Sequence, residues 1–283
     1  MNILITGSKG QVGNELQTLA ADYPSFSFVF VDRDELDITD TQLVTNFFAR
    51  QRFDYCLNCA AYTAVDKAES DAETAQKVNV FGTLNLAKAA AANNCRFIQI
   101  STDYVYHTTQ NTPFIESDPT NPQGVYAQTK LDGDLAALDV HTDCLVIRTS
   151  WVYSSFGHNF VKTMLRLGAE KSQLGIIFDQ IGSPTYARHL AKAMLDIVQK
   201  NPAEFGGIYH YSNEGVCSWY DFARAIFEIS GIECKTLAIE TKDYPTPAKR
   251  PHFSLLNKAK IKQAFDIEIP HWRSALQECL ALL

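Results

Sequence analysis

Short apolar runs alternate along the first half of the chain with longer segments whose apolar residues recur every three or four positions. The runs predict strands, at residues 2–6, 26–31, 55–59, 96–100 and 144–147. The longer segments predict helices, one beginning near Val12 and others at about residues 42–51, 72–93 and 125–138. This alternation is typical of βαβ units. It predicts an α/β fold, a Rossmann-like doubly wound parallel sheet whose ligands bind at the carboxyl ends of the strands.

The alternation becomes less regular after about residue 150. Helical patterns occur near residues 157–170, 186–200, 218–230 and 271–282, and strand candidates near 174–178, 207–211 and 235–239. Pro245, Pro247 and Pro251 mark a loop. We therefore expect a Rossmann domain over residues 1–150 and a smaller α/β part over residues 151–283, with later segments that interleave with the main sheet.

Charge and hydropathy exclude several classes of protein. The 283 residues carry a net charge of −7 without the basic stripe of a nucleic-acid-binding protein. No run approaches the roughly 18 apolar residues of a membrane span. The first residues lack the basic and long apolar regions of a signal peptide. We expect no nucleic-acid or membrane partner and a cytoplasmic location.

The seven cysteines do not form a metal site in this interpretation. Cys56 and Cys59 have C-x-x-C spacing but lie on a predicted strand, where side chains three apart point to opposite faces. No second cysteine or histidine pair completes a zinc set. We expect buried thiols and no metal.

Three glycines follow the first predicted strand. Gly7, Gly10 and Gly13 are spaced differently from the usual G-x-G-x-x-G, but they too connect a strand to a helix. The free N–H groups of such a helix start can bind a pyrophosphate, and Gln11 and Val12 belong to the same segment. A plain glycine turn is the alternative.

The end of the second predicted strand carries candidates for binding the rest of a dinucleotide. Asp32 lies where a carboxylate holds the ribose hydroxyls, whereas Arg33 could receive a 2′-phosphate. Asp37 and Ile38 could lie at the edge of the adenine. These residues leave NADH and NADPH both open, and a solvated acidic loop is the alternative.

A Y-x-x-x-K motif predicts acid–base chemistry. Tyr126 and Lys130 lie on one face of a predicted helix. A nearby ammonium is expected to lower the pKa of a phenol, which is about 10 in water. Ser101 and Thr102 follow the fourth predicted strand, and a hydroxyl there could bind a substrate carbonyl oxygen together with the tyrosine. A surface tyrosine with a solvated lysine is the alternative.

Taken in order, these motifs resemble those of the extended short-chain dehydrogenase/reductases, which act on nucleotide sugars. The resemblance rests on the glycine segment, on Asn58-Cys59-Ala60-Ala61, on residues 101–106 and on Tyr126-x-x-x-Lys130. Further strings are similar to the branch that reduces dTDP-linked 4-keto-6-deoxy sugars. They lie at residues 61–69, 148–153, 159–160, 179–185 and 250–254, so that the resemblance covers nearly the whole chain.

The resemblance implies roles for individual residues. Thr102, Tyr126 and Lys130 match the catalytic residues. Besides the glycine and Asp32 segments, the cofactor is expected to contact Ala60, Ala61, Tyr62 and Lys130. The predicted substrate-binding residues are Thr102, Asp103, Tyr126, Trp151, Asn159 and Arg250. Asn79 matches the family's N-x-x-x-G helix, where a structural hydrogen bond is equally expected.

The implied reaction reduces the C4 keto group of dTDP-6-deoxy-L-lyxo-4-hexulose. The expected cofactor is NADPH, with NADH possible, and the expected state is a monomer or homodimer. An epimerase or reductase of another nucleotide sugar, or a non-catalytic dinucleotide-binding regulatory subunit, are the alternatives. Some members are dimers bridged by a metal, in which Glu15 could take part. Arg188 stands where those members carry a glutamate, which argues against the metal.

Overall fold

A six-stranded, entirely parallel sheet forms the centre of the computed structural model, which describes all residues from Met1 to Leu283. The strands are β1 (Asn2–Thr6), β2 (Ser27–Val31), β3 (Tyr55–Asn58), β4 (Arg96–Thr102), β5 (Cys144–Thr149), β6 (Val152–Tyr153), β7 (Gln173–Ile177), β8 (Ile181–Gly182), β9 (Thr185–Tyr186), β10 (Gly207–His210), β11 (Cys217–Ser218) and β12 (Lys235–Ile239). The order in the central sheet is β10-β5-β4-β3-β1-β2.

Helices cover both faces of this sheet. They are α1 (Gln11–Leu19), α2 (Thr41–Arg50), α3 (Val65–Ala68), α4 (Ala72–Gln76), α5 (Thr83–Ala92), α6 (Val125–Val140), α7 (Phe160–Glu170), α8 (Ala187–Lys200), α9 (Trp219–Ser230), α10 (Ala259–Phe265) and α11 (Trp272–Leu280). Apolar residues of α1, α8 and α10 pack on one face, and those of α2, α5 and α6 on the other. Every residue of β3 and β5 is buried, as expected for parallel strands covered on both sides. The predicted α/β fold class is confirmed.

The predicted helix over residues 72–93 is interrupted. A π-helical segment, Lys77–Gly82, separates α4 from α5. Within it, Asn79 Oδ1 accepts the backbone N–H of Tyr62 at 2.8 Å, and Asn79 Nδ2 donates to the Tyr62 carbonyl at 3.2 Å and to Thr129 Oγ1 at 3.1 Å. The bulge therefore presents one amide side chain both to the loop after β3 and to α6.

Helix α6 lies close to the same bulge. A Cβ atom on Gly133 would lie only 2.1 Å from the carbonyl oxygen of Asn79, so this position requires glycine. The short approach lets α6 pack near the end of β4, and α6 carries Tyr126 and Lys130.

The second half of the chain contributes to two regions. Strand β10 joins the central sheet beside β5, and α8 packs against α1. The remaining elements build a separate core from α7, α9 and α11 with the paired strands β7 and β12. Helix α10 was not predicted from the sequence. No helix in the structure combines the length and the apolar character needed to cross a membrane.

Candidate active site

A cavity of about 600 Å³ opens at the carboxyl ends of the central strands. Thr102 ends β4, Thr149 ends β5, and the loops after β1 and β3 complete the wall. This is the position at which doubly wound sheets bind their ligands. The predicted site residues that line it are Gly10, Gln11, Val12, Ala60, Ala61, Thr102, Asp103, Tyr126, Lys130 and Trp151.

The glycine segment forms a tight turn at the start of α1. Gly7 has a φ of +65°, and the N–H of Gly10 donates to its carbonyl at 3.0 Å. A Cβ atom on Gly13 would lie 2.3 Å from that carbonyl oxygen. No side chain caps the first turn of α1, so its N–H groups are free to bind an anion.

Asp32 organises the loops beside the glycine turn. Its Oδ2 accepts the N–H of Lys9 at 3.2 Å, and its Oδ1 accepts the N–H of Arg33 at 2.8 Å. The Arg33 side chain is 83% exposed and its Nε lies 3.6 Å from Asp37 Oδ2. Lys9 Nζ pairs with Asp34 at 2.9 Å. Two exposed cations therefore lie next to Asp32, each with only a carboxylate partner at the surface.

Asp37 and Ile38 are held by contacts within the protein. Asp37 Oδ1 accepts both the N–H and the hydroxyl of Thr39, at 2.9 Å and 2.7 Å. The Ile38 side chain is buried against Gly82. Neither residue lines the cavity, nor do Asp32 and Arg33, so that their contacts with a cofactor stay predictions.

The catalytic candidates lie together where α6 meets the end of β4. Burial raises the pKa of the Tyr126 phenol to about 12, and its hydrogen bond with the Thr102 hydroxyl opposes that rise. Lys130 is only 2% exposed, and its Nζ donates to the Ile100 carbonyl at 2.7 Å. The sequence predicted a lowered pKa for the phenol. The direction found here is the opposite, because burial outweighs the other contributions. The phenol is thus protonated at neutral pH, as a proton donor must be.

Asp103 adds a second titratable group to the cavity wall. Its side chain is buried, and burial raises the pKa of the carboxyl to about 7. Its Oδ1 accepts the Thr102 hydroxyl at 3.2 Å, and hydrogen bonds from Ser254 and Thr102 oppose the rise in its pKa.

Two tryptophan rings line the cavity opposite the glycine turn, and a phenylalanine packs against them. Trp151 stacks on Trp219 with ring centroids 3.7 Å apart and an angle of 12° between the planes, and Phe160 packs 4.7 Å from Trp219. Trp151 has a φ of +48°, a left-handed conformation that is costly for a non-glycine residue. Gln180 Oε1 accepts the indole N–H of Trp219 at 3.2 Å. The stack is therefore held from several sides.

A second cavity of about 770 Å³ adjoins the first, and Tyr104 and Trp219 line both. Its wall is largely apolar and comes from α7, β7 and the proline-rich loop. Arg250 lies in this wall and makes two hydrogen bonds to Asp66, NH1 to Oδ1 at 3.0 Å and NH2 to Oδ2 at 2.8 Å. Arg250 NH1 also donates to Thr246 Oγ1 at 2.6 Å. Arg250 therefore faces the second cavity rather than the first.

Other predicted site residues lie outside both cavities. Asn159 caps α7 by accepting the N–H of Lys162 at 3.1 Å, and it donates to Gln11 Oε1 at 3.0 Å and to the Ser154 carbonyl at 2.7 Å. Tyr62 donates its hydroxyl to Asp71 at 3.0 Å. Gly7 and Gly13 shape the turn without lining the cavity. The ligand contacts of these four residues stay predictions.

The sequence interpretation missed several residues of the cavity wall. They are Lys9, Cys59, Thr63, Val65, Tyr104, His158 and Trp219, among others. Tyr104 could have been found, since it follows Thr102 and Asp103 in the same motif. Trp219 carries no such signal, because it only begins a helix that Ser218 and Asp221 cap.

Glu15, the residue considered for a bridging metal, is hydrogen-bonded to other residues of the same chain. Its buried carboxylate accepts Arg188 Nε at 2.9 Å and the Ser154 hydroxyl at 2.6 Å. The structure contains no group of three or more histidine, cysteine, aspartate or glutamate side chains arranged to hold a metal ion.

Known proteins are similar to this chain over nearly its whole length. The family model described as RmlD substrate binding domain matches residues 1–283. A dTDP-4-dehydrorhamnose reductase of Aggregatibacter actinomycetemcomitans is 39% identical over 99% of this chain and 98% of its own length. A solved structure of a dTDP-4-dehydrorhamnose reductase from Clostridium acetobutylicum is 37% identical with a TM-score of 0.95, covering 100% of this chain and 99% of its own. One from Bacillus anthracis, in complex with NADP, is 32% identical with a TM-score of 0.94 and the same coverage.

Proposed function

Because the chain belongs to the RmlD substrate binding domain family, we propose that it is an NADPH-dependent dTDP-4-dehydrorhamnose reductase. It reduces the C4 keto group of the dTDP-linked sugar and forms dTDP-L-rhamnose. One observation carries the proposal: Thr102, Tyr126 and Lys130 meet in a cavity that also contains the glycine turn at the start of α1. The family match and the similar relatives confirm the resemblance found in the sequence.

The residues around the glycine turn fit a dinucleotide. A Cβ atom on Gly7 would collide with the backbone of Ala60, and one on Gly13 with that of Gly7 and Ser8, so glycine lets the turn close tightly before α1. The first N–H groups of α1 are uncapped and free to bind a pyrophosphate. Gly10, Gln11, Val12, Ala60 and Ala61 would hold the cofactor, and the exposed cations Lys9 and Arg33 suit a 2′-phosphate. When bound, NADPH supplies the hydride.

The chain's own residues then act on the carbonyl oxygen. The Thr102 hydroxyl holds that oxygen near Tyr126, and the Tyr126 hydroxyl donates its proton to it as negative charge develops. The raised pKa of the phenol keeps this proton available at neutral pH. Lys130 supports the cofactor ribose and places a positive charge beside the phenolate that remains.

The nucleotide part of the substrate occupies the second cavity in this proposal. Its apolar wall suits a base and deoxyribose, while Arg250 offers a guanidinium to the diphosphate. The net charge of −7 does not attract a diphosphate, so binding depends on such local donors. The Trp151–Trp219 stack lies where the two cavities meet, which is the position expected for the sugar.

A substrate panel tests the proposal. The purified protein is mixed with NADPH and, separately, a dTDP-linked and a UDP-linked 4-keto-6-deoxy sugar, and NADPH loss and product are measured together. We expect one NADPH consumed per dTDP-L-rhamnose formed. Turnover of the UDP sugar alone would contradict the proposed substrate. Product without net NADPH consumption would indicate an epimerase, and NADPH binding without turnover of any sugar would indicate a regulatory subunit.

A further inference from the structure

Helix α6 presents three polar side chains, one turn apart, to the end of β4. Tyr126 meets Thr102, Lys130 donates to the Ile100 carbonyl, and Asp134 accepts the hydroxyl of Ser101. The spacing of four residues puts all three on one helix face. The first two belong to the proposed active site, but Asp134 lies behind it and does not line the cavity.

The carboxylate of Asp134 is fully buried but has few hydrogen-bond partners. Its exposure is 0%, its Oδ1 has no partner, and its Oδ2 receives only the Ser101 hydroxyl. Arg148 Nε lies 3.9 Å from Oδ2, too far for a direct hydrogen bond. A carboxylate in such a place is costly unless nearby positive charges stabilise it.

Two cations lie near this carboxylate: Arg148 on β5, and Lys130 one turn away on the same face of α6. Of these two, Lys130 is the cation whose pKa the charge of Asp134 shifts. Arg148 is held on β5 by a 2.6 Å hydrogen bond to the Tyr106 hydroxyl, whose ring lies 5.1 Å from the guanidinium. Lys130 is different, because burial lowers the pKa of its ammonium and the charge of Asp134 raises it. In return, Lys130, Ser101 and Arg148 oppose the burial that raises the pKa of Asp134 to about 6.

Asp134 is the only charged group that raises the pKa of Lys130, and Asp103 does not contribute to that shift. The remaining titratable groups facing this region are Tyr126 on α6, Cys144 on β5, Asp103 after β4, and Tyr106 and His210 beyond Arg148. Burial raises the pKa of Cys144 and of Tyr106 to about 12 and lowers that of His210 to about 3, so these three are neutral near pH 7. Asn79 and Thr83 face α6 from the π-helical segment and α5, and do not titrate.

We propose that Asp134 is a positioning residue that keeps Lys130 charged and directed at the Ile100 carbonyl, beside the cavity. The carboxylate acts through Lys130 and touches neither substrate nor cofactor. The inference rests on the proposed function, in which Lys130 supports the cofactor and the phenolate. Without Asp134, the buried region would hold two cations and no anion next to them, and Lys130 would release its proton more readily.

Replacing Asp134→Asn tests this, because asparagine keeps the size and an acceptor for Ser101 but removes the charge. We expect kcat at pH 7 to fall about tenfold and the high-pH limb of kcat/KM to move about one unit or more toward lower pH. NADPH binding, measured by fluorescence without any sugar, should weaken as the pH rises. This weakening should begin at a lower pH than in the wild type. Asp134→Glu should restore the charge and most of the wild-type pH profile.

Asp139→Asn is the matched control, since it makes the same change on an exposed part of α6, and it should behave as wild type. If Asp134→Asn does not fold, Asp134→Ser carries the same expectation. A lowered melting temperature with unchanged pH profiles of both kcat/KM and NADPH binding would assign Asp134 to packing alone and overturn the proposal. If the wild type reduces no dTDP sugar, the proposed function fails, whereas the NADPH-binding profile still decides the role of Asp134.

Discussion

Each cavity has a cation in its wall and a carboxylate near that cation, but the two settings differ in burial. Lys130 and Asp134 are 2% and 0% exposed and lie on a long helix packed against the sheet. The side chains of Arg250 and Asp66 are 21% and 40% exposed and come from a loop and the short helix α3. Charges interact far more strongly in the dry interior than near water. In the proposed function, proton transfer therefore takes place where burial shifts pKa values, and ligand recognition takes place where side chains can adjust at low cost.

The largest effect is expected when the buried hydroxyl of Tyr126 is removed. Tyr126→Phe keeps the ring but removes the proton donor, so kcat should fall about 10²-fold or more. NADPH affinity, measured by fluorescence titration, should change little because the phenol is not among the groups that hold the dinucleotide. Unchanged turnover in the variant would refute the role of Tyr126.

A somewhat smaller effect is expected at the half-exposed pair. Arg250→Ala removes a donor from the second cavity and leaves Asp66 there without its partner. We expect the KM for the sugar nucleotide to rise roughly 30-fold, about 2 kcal/mol, with NADPH affinity unchanged. The exposed neighbour Lys249→Ala is the control and should leave both values as in wild type. Loss of NADPH affinity with an unchanged sugar KM would show that the two cavities do not divide the ligands in this way.

A smaller effect is expected at Arg33, whose side chain is largely exposed. Arg33→Ala should weaken NADPH by roughly tenfold, about 1.5 kcal/mol, if its guanidinium meets the 2′-phosphate. NADH lacks that phosphate, so its affinity is the internal control and should stay constant. An equal effect on both cofactors, measured by titration at the same salt concentration, would show that Arg33 does not meet the 2′-phosphate.

The smallest effect concerns the stability supplied by the half-exposed pair. Arg250 lowers the pKa of Asp66, mainly through their hydrogen bond, so this carboxylate stabilises the fold above its unfolded pKa of about 4. Asp66→Asn should therefore cost about 0.5–1 kcal/mol at pH 7 in denaturant unfolding. The difference between wild type and variant should shrink as the pH falls below about 4. A difference that stays constant down to pH 2 would mean that the ionised pair does not stabilise the protein.

The regular part of the fold could be predicted because each buried strand and each amphipathic helix is encoded locally. The same holds for Tyr126 and Lys130, whose spacing on one helix does not depend on the rest of the chain. The π-helical interruption could not be predicted, because it depends on how Asn79 meets the loop at Tyr62. Helix α10 was missed because only Ile261 and Phe265 of its seven residues are buried.

Parts of the site depend on packing between distant segments. Trp219 joins Trp151 only when α9 docks beside the end of β5, and no pattern near residue 219 indicates this. Asn159 was predicted as a substrate-binding residue, and the structure shows that its side chain caps α7. The direction of the Tyr126 pKa shift depends on the depth of burial, which spacing alone does not report.

The single amide of Asn79 has a consequence for how the protein responds to its ligands. It is bonded on one side to the backbone of Tyr62, next to the loop that lines the cavity at Ala60 and Ala61, and on the other to Thr129 of α6. Because the loop and the helix are both hydrogen-bonded to Asn79, the ordering of one is thermodynamically coupled to the ordering of the other. A dinucleotide that orders the loop should slow amide hydrogen exchange in α6, and by reciprocity a loosened α6 should lower dinucleotide affinity by the same free energy.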